Sequence, residues 1–408
     1  RNDLSPKKEY KLQQDNEEEL EDIISIFAVV SNLEEWLNLT EVDHIRHIKT
    51  SNEDGDTLYI ATGRVNYSLL GDLCEKNFVV RIESARIVEK QLSNTLKEVG
   101  LVENDKYKIP SSLKTNGGED VVIGIVDAGL DFRLDCFKEE DGVSSRIEYI
   151  WDQRSSGGQT DNVPYGRLYT QEQINDILNA DIPFDDKPER LEYIPGDISH
   201  GCHIADISAG KSGVAPKSSI IFVHLSENEC DVLADSAMII EAVGFIFEKA
   251  GDRPCVVNVS LGQVGGAHDG SSLAEIFLDA MVLEKPNRAI TVSAGNFYDK
   301  KRHKSGEIIE GEYTDIVWTM DRISNADSPE LDVIEIWYSN EDLINLELIF
   351  KQSNGNDIGL TKHMKYVSLG SNTEIYDPDL DTIIGHIYHD TTENQLTEAP
   401  GDNLIVIS

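Results

Sequence analysis

VVIGIVDAG, residues 121–129, is a continuous apolar run closed by Asp127, Ala128 and Gly129. An uninterrupted β-branched run of this length, bounded by a turn, predicts a strand buried on both faces. SIIFVHL (219–225), CVVNVSL (255–261) and AITVSAGN (289–296) repeat the pattern. Between them, VLADSAMIIEAVGFIFEKA (232–250) and SLAEIFLDAMVLE (272–284) carry apolar residues at helical spacing, and the first stops at Gly251. Buried strands alternating with helices predict an α/β fold with a parallel sheet, helices on both faces and right-handed crossovers. Residues 138–196 read as a long polar insertion that interrupts this alternation.

Working outward, TLYIATGRV (57–65) alternates as a strand, YSLLGDLCEKN (67–77) as a short helix and FVVRIESARIV (78–88) as a second strand. This predicts a small α+β unit at 56–102, followed by a linker at 103–119 that ends in KTNGGED. Residues 1–55 are charged, and EEELEDIISIFAVVSNLEEWLNL (17–39) reads as an amphipathic helix. The α/β domain is expected over 120–305. Beyond 305, EYTDIVWTMDRI, DVIEIWYS, LINLELIFKQ, GHIYHDT and NLIVIS, separated by Asn, Asp and Gly turns, predict part of an antiparallel β-sandwich over 306–408.

The chain has 408 residues, 36 Lys plus Arg against 75 Asp plus Glu, a net charge of −39, and 39% hydrophobic residues. That composition supports at least one large core. The negative field opposes binding driven by phosphate neutralisation, so nucleic acid is not an expected partner. No apolar run approaches the roughly 20 residues that span a bilayer, so no membrane partner is expected either. No secretory pattern is visible in RNDLSPKKEY, and the five cysteines are odd in number and scattered. A cytoplasmic location is the expectation.

Ligands of a parallel α/β sheet gather at the carboxyl ends of its strands. Asp127 and Asn296 each end a strand, and SHGCHIADISAG (199–210) opens a helix with His200 and His203. An acid that orients an imidazole, an imidazole that acts as base and an amide that donates to an oxyanion suit a hydrolytic site. Other readings stand beside this one. Asp127 and Asn296 suit turns, and His200 with His203 shares a helix face that could ligate zinc, although no third ligand is evident. His203 reads as a packed structural histidine and Cys202 as a small buried residue rather than a reactive thiol. No metal or cofactor is expected.

Five motifs in order carry a family resemblance. Val126–Asp131 resembles the Asp motif of the subtilisin-like serine proteases (subtilases). His200–Ala205 is similar to their His motif, Gly213–Pro216 to the GVAP that follows, Val257–Gly262 to their cleft strand, and Ser293–Asn296 to their oxyanion segment. The resemblance implies Asp127 as triad acid, His200 as general base and Asn296 as oxyanion donor. Ser260, Leu261 and Gly262 would line the cleft beside the substrate backbone. It implies a peptide or protein substrate, and an inhibitory pro-segment at 56–102 whose last residues occupy the cleft near Ser260–Gly262. The β region after Asn296 resembles the inserted jelly roll of a bacterial subgroup. Cys202 and Asp206 depart from the His motif. The Gly-Thr-Ser-Met-Ala nucleophile pattern has no counterpart in the 408 residues. The expectation is a serine endopeptidase whose Ser lies beyond residue 408, this chain alone being inactive; the alternative is a pseudoprotease that binds a peptide or partner protein.

Overall fold

The computed structural model describes residues 23–51, 56–85, 87–90, 102–103, 106–107, 117–154, 163–196, 200–225, 233–297, 300, 302–317, 333–339, 341–342, 344, 346, 371–377, 382–392 and 402–407. The N-terminal part runs β1 (Ile23–Val30), α1 (Leu33–Leu37), β2 (Val42–Ser51), β3 (Thr57–Asn66), α2 (Leu70–Cys74) and β4 (Val79–Ser84). Its four strands form one antiparallel sheet in the order β2-β3-β1-β4. IISIFAVV is therefore a central strand, not the amphipathic helix that its sequence suggests. Both of its faces are covered. Phe27 and Val29 belong to the core shared with the α/β domain, whereas Ile26, Ala28 and Val30 pack with Trp36 and Leu73 of the two short helices. A strand buried on both sides has no polar face, and its apolar run cannot be told from a helix by periodicity. The expected division between residues 55 and 56 falls inside this sheet.

FVVRIESARIV, expected as one strand, divides. β4 closes the N-terminal sheet, and β5 (Ile87–Lys90) leaves it to join another. β6 (Val102–Glu103) and β7 (Lys106–Tyr107) form a small antiparallel ladder.

The α/β domain follows with β8 (Val122–Asp127), β9 (Ile147–Asp152), β10 (Arg167–Thr170), α3 (Gln171–Asn179), α4 (Lys187–Leu191), α5 (Gly201–Ala209), β11 (Ser219–His224), β12 (Leu233–Asp235), α6 (Ser236–Ala250), β13 (Cys255–Val259), β14 (Leu261–Gly262), α7 (Leu273–Glu284) and β15 (Arg288–Val292). Six of these strands build the central sheet in the order β10-β9-β11-β8-β13-β15. All neighbours run parallel except β10, which is antiparallel to β9. The segment 138–196 is thus not a mere interruption: it supplies two sheet strands. Ile147, Ile150 and Trp151 of β9 are buried, and Trp151 Nε1 donates to the Tyr165 carbonyl at 2.8 Å.

After residue 310 the expected strands are found at β16 (Ile334–Ser339), within β18 (Thr382–Thr392) and at β19 (Asp402–Ile407); β17 (Ser371–Asp377) was not anticipated. They form an antiparallel sheet ordered β16-β19-β18-β17. Residues 312–317 form no strand, and most of LINLELIFKQ lies outside the described residues.

The N-terminal sheet is fastened to the α/β domain by more than apolar contact. Arg64 on β3 donates twice to the carboxylate of Glu241 on α6, at 2.9 and 3.0 Å, and the Tyr165 hydroxyl donates to the same carboxylate at 2.6 Å. Glu241 is 1% exposed. A buried carboxylate is tolerable because these donors replace its hydration, and removing one partner strands a charge. Arg64→Ala is expected to destabilise the folded chain by about 3–5 kcal/mol, read as a lowered urea midpoint.

On the other side of that sheet, Trp36 Nε1 donates to His44 Nδ1 at 3.1 Å, and His44 Nε2 lies 3.0 Å from His47 Nδ1. Burial, with the neighbouring His47 second, pushes the His44 pKa down to about 4. The unfolded chain binds that proton near the ordinary value of 6.5. Stability from this site is therefore full above about pH 6.5 and lost as pH falls towards 4. Urea midpoints measured between pH 7 and pH 4 should decline, and His44→Gln should flatten part of that decline.

Candidate active site

The site grows from the carboxyl end of β8. β13 pairs with β8 so that Val259 stands opposite Val126, and β11 pairs with it so that His224 stands opposite Asp127. Parallel register therefore brings the ends of three neighbouring strands to one level. Asp127 is fully buried there. Gly129 takes φ +81°, which suits a residue without Cβ and turns the chain back across the sheet edge.

α5 begins against this turn. The Gly201 amide donates to the Ala128 carbonyl at 2.9 Å. A Cβ on Gly201 would lie 2.4 Å from that oxygen, so only glycine permits the approach. The contact places His200, the residue before the helix, over Asp127. His200 Nδ1 is 2.7 Å from Asp127 Oδ1, which also accepts from the Ala128 amide at 2.7 Å. Because a carboxylate oxygen accepts, Nδ1 carries the proton, and the neutral ring presents its lone pair at Nε2. Nε2 is buried and has no hydrogen-bond partner among the described residues.

The other expected residues lie at the same edge. Ser260 follows β13, and its hydroxyl is 2.8 Å from Asn258 Nδ2. Leu261 and Gly262 form β14, and Asn296 is exposed four residues beyond the end of β15, the strand next to β13. The Ser293 hydroxyl donates to the Leu261 carbonyl at 3.2 Å, tying the segment that leads to Asn296 to β14.

β14 is not an open edge. β5 lies between β14 and β12, antiparallel to both, with Lys90 opposite Leu261, Glu89 opposite Gly262 and Val88 opposite Leu233. The stretch that leaves the N-terminal sheet thus runs as a strand along the residues expected to line a substrate cleft.

His203 is exposed rather than packed, because α5 turns only its other side towards the sheet. It does not join His200 in a ligand set, and among the described residues no three His, Cys, Asp or Glu side chains converge to hold a metal. Cys202 is buried, as expected of a small packed residue, and its Sγ accepts from the Asp131 amide at 3.0 Å. The sequence reading missed His224 and Tyr193. His224 is fully buried beside the Asp127 turn, and the one available signal was a polar residue ending an otherwise apolar strand.

This geometry, a buried Asp–His pair at the carboxyl edge of a parallel sheet, defines an α/β domain of the subtilisin-like serine protease class. Residues 118–320 match the subtilase family model, Peptidase_S8, and this part of the chain belongs to that family. The structure of the Clostridium perfringens CspB protease is similar at 25% identity and a TM-score of 0.52, covering 73% of this chain and 59% of CspB. The chain thus spans less than two thirds of that relative's length. The epidermin leader peptide processing serine protease (EpiP) of Staphylococcus aureus is similar at 11% identity and a TM-score of 0.31, over 58% of this chain and 49% of that one. No curated protein matches the chain.

Burial, the largest cause, pushes the Cys202 thiol up to about 11. The nucleophilic thiolate is then scarce at neutral pH. Cys202 is expected to resist iodoacetamide at pH 8 in the folded protein and to react once urea unfolds it, as read by peptide mass mapping.

Proposed function

We propose that the chain carries the acid–base half of a serine endopeptidase site. The observation that supports this most directly is the 2.7 Å contact between His200 and a fully buried Asp127. In this reading a serine supplied from outside these 408 residues attacks the scissile carbonyl and passes its proton to His200 Nε2. Asp127 stabilises the imidazolium that forms, and the Asn296 side-chain amide donates to the oxyanion. Collapse of the tetrahedral intermediate breaks the C–N bond, and His200 returns the proton to the leaving amine. Water then repeats the sequence to release the acyl group. Peptide or protein substrates would lie extended against Leu261 and Gly262, where backbone pairing gives affinity without regard to side chain.

The N-terminal sheet and β5 are read as an inhibitory pro-segment and its tail. In support, β5 already pairs with the strand expected to hold substrate, and Arg64 fastens the preceding sheet to α6. The sheet of β16–β19 is read as part of a jelly-roll-like insertion. A cytoplasmic location accords with the four free cysteines among the described residues.

A second reading is favoured by one observation: no Gly-Thr-Ser-Met-Ala pattern follows Asn296 in the 408 residues, and the similar stretch Gly270–Ala274 precedes it, its Ser272 capping α7. Without a nucleophile, the Asp–His pair has nothing to activate, and the cleft would serve to bind a peptide or partner protein.

The two readings separate on the natural, unmanipulated protein. Intact mass, terminal sequencing and a fluorophosphonate probe are expected to find a labelled serine and a new N-terminus shortly after Lys90. An unlabelled, uncleaved chain would replace the peptidase reading with the binding one.

A further inference from the structure

His224 is a fully buried imidazole that the proposed chemistry does not use. Its place in the sheet is specific. It stands opposite Asp127 on one side and Asp152 on the other, at the level where the strands end. Its Nε2 accepts from the Gly129 amide at 2.9 Å, and its Nδ1 is 2.9 Å from the Tyr193 hydroxyl. An amide N–H can only donate, so Nε2 is unprotonated. In the neutral ring Nδ1 then carries the hydrogen and donates to the Tyr193 oxygen. Asp152 is engaged by Arg154, whose Nε and Nη2 donate to its two oxygens at 2.9 Å each. The carboxylate on that side is therefore balanced by its own arginine.

The ring's partner, Gly129, belongs to the turn that builds the site. Asp127 opens that turn, and the Ala128 carbonyl takes the Gly201 amide that sets the start of α5 and hence His200. The Leu225 amide also donates to the Asp127 carbonyl at 2.9 Å, so the strand end bearing His224 grips both ends of the turn. With buried polar groups on both sides, loss of the imidazole acceptor would leave the Gly129 amide unsatisfied in a dry environment. The turn would relax, and the Asp127 carboxylate would shift relative to His200.

We propose that His224, whose Nε2 accepts from the Gly129 amide while its Nδ1–H donates to Tyr193, is a positioning residue for the Asp127–His200 pair, acting through that amide. This rests on the Asp–His reading above. Its readout is spectroscopic and needs no nucleophile.

The test uses the 408-residue chain with histidine ring nitrogens labelled. In the parent, the His200 Nδ1 proton held by Asp127 should give a low-field resonance, assigned by its loss in His200→Gln. His224→Phe keeps a planar ring but has no acceptor, and the resonance is expected to be lost. His224→Gln, whose side-chain oxygen can reach the Gly129 amide, should restore it. Tyr193→Phe should lower the urea midpoint yet keep the resonance, separating stability from positioning. If His224→Phe does not fold, the pair His224→Gln and His224→Asn decides. Gln should retain the resonance, and Asn, too short to reach Gly129, should lose it. A folded His224→Phe with the parent resonance, or Gln and Asn behaving alike, would overturn the inference while leaving the Asp–His reading intact. Absence of the resonance in the parent would overturn that reading and the inference together.

Discussion

Everything at the candidate site depends on the turn Asp127-Ala128-Gly129 at the carboxyl end of β8. Each of its three residues holds a different neighbour: Asp127 takes His200, Ala128 takes the Gly201 amide, and Gly129 gives its amide to His224. The turn can do so only because β8 lies inside the sheet, between β11 and β13, with its sides covered by apolar residues. In that dry setting each of these hydrogen bonds has no competing water, and leaving any donor or acceptor unmade would be costly. The buried carboxylate is therefore held in one orientation, which is what an acid that aligns an imidazole needs.

A second constraint comes from the N-terminal sheet. Phe27, Val29, Ile48, Leu58 and Ile60 share one core with α6 and α7, so this sheet is packed as part of the domain rather than tethered to it. The Arg64–Glu241 contact adds direction to that apolar surface, since a buried carboxylate accepts only donors placed to meet it. β5 then leaves the sheet and pairs with β14. One rigid docking thus sets which residues of β5 face Leu261 and Gly262, and the pairing register follows from it.

Much of this was legible in the chain. The four apolar runs at 121–129, 219–225, 255–261 and 289–296 each became a sheet strand, because buried parallel strands leave an unbroken apolar signature. Asp127 and His200 were legible for a related reason: polar residues placed where a buried strand or helix begins or ends stand out. Three features were not. IISIFAVV reads as a helix, since burial on both faces erases the alternation that marks a strand. The segment 138–196 reads as a polar insertion, although Ile147, Ile150 and Trp151 are buried in a sheet strand. His203 reads as packed, but it faces outward because α5 buries Cys202, Ile204 and Ala205 instead.

By itself, then, the sequence determined the alternation of strands and helices and the placement of Asp127 and His200 at a strand end and a helix start, because burial and turn chemistry are written locally. Tertiary structure alone decided three further matters. It decided that β1 to β4 form one sheet, that β5 pairs with β14, and that His224 meets Gly129. The physical reason is the same in each case. Those contacts join residues from 29 to 173 positions apart and depend on which surfaces bury one another.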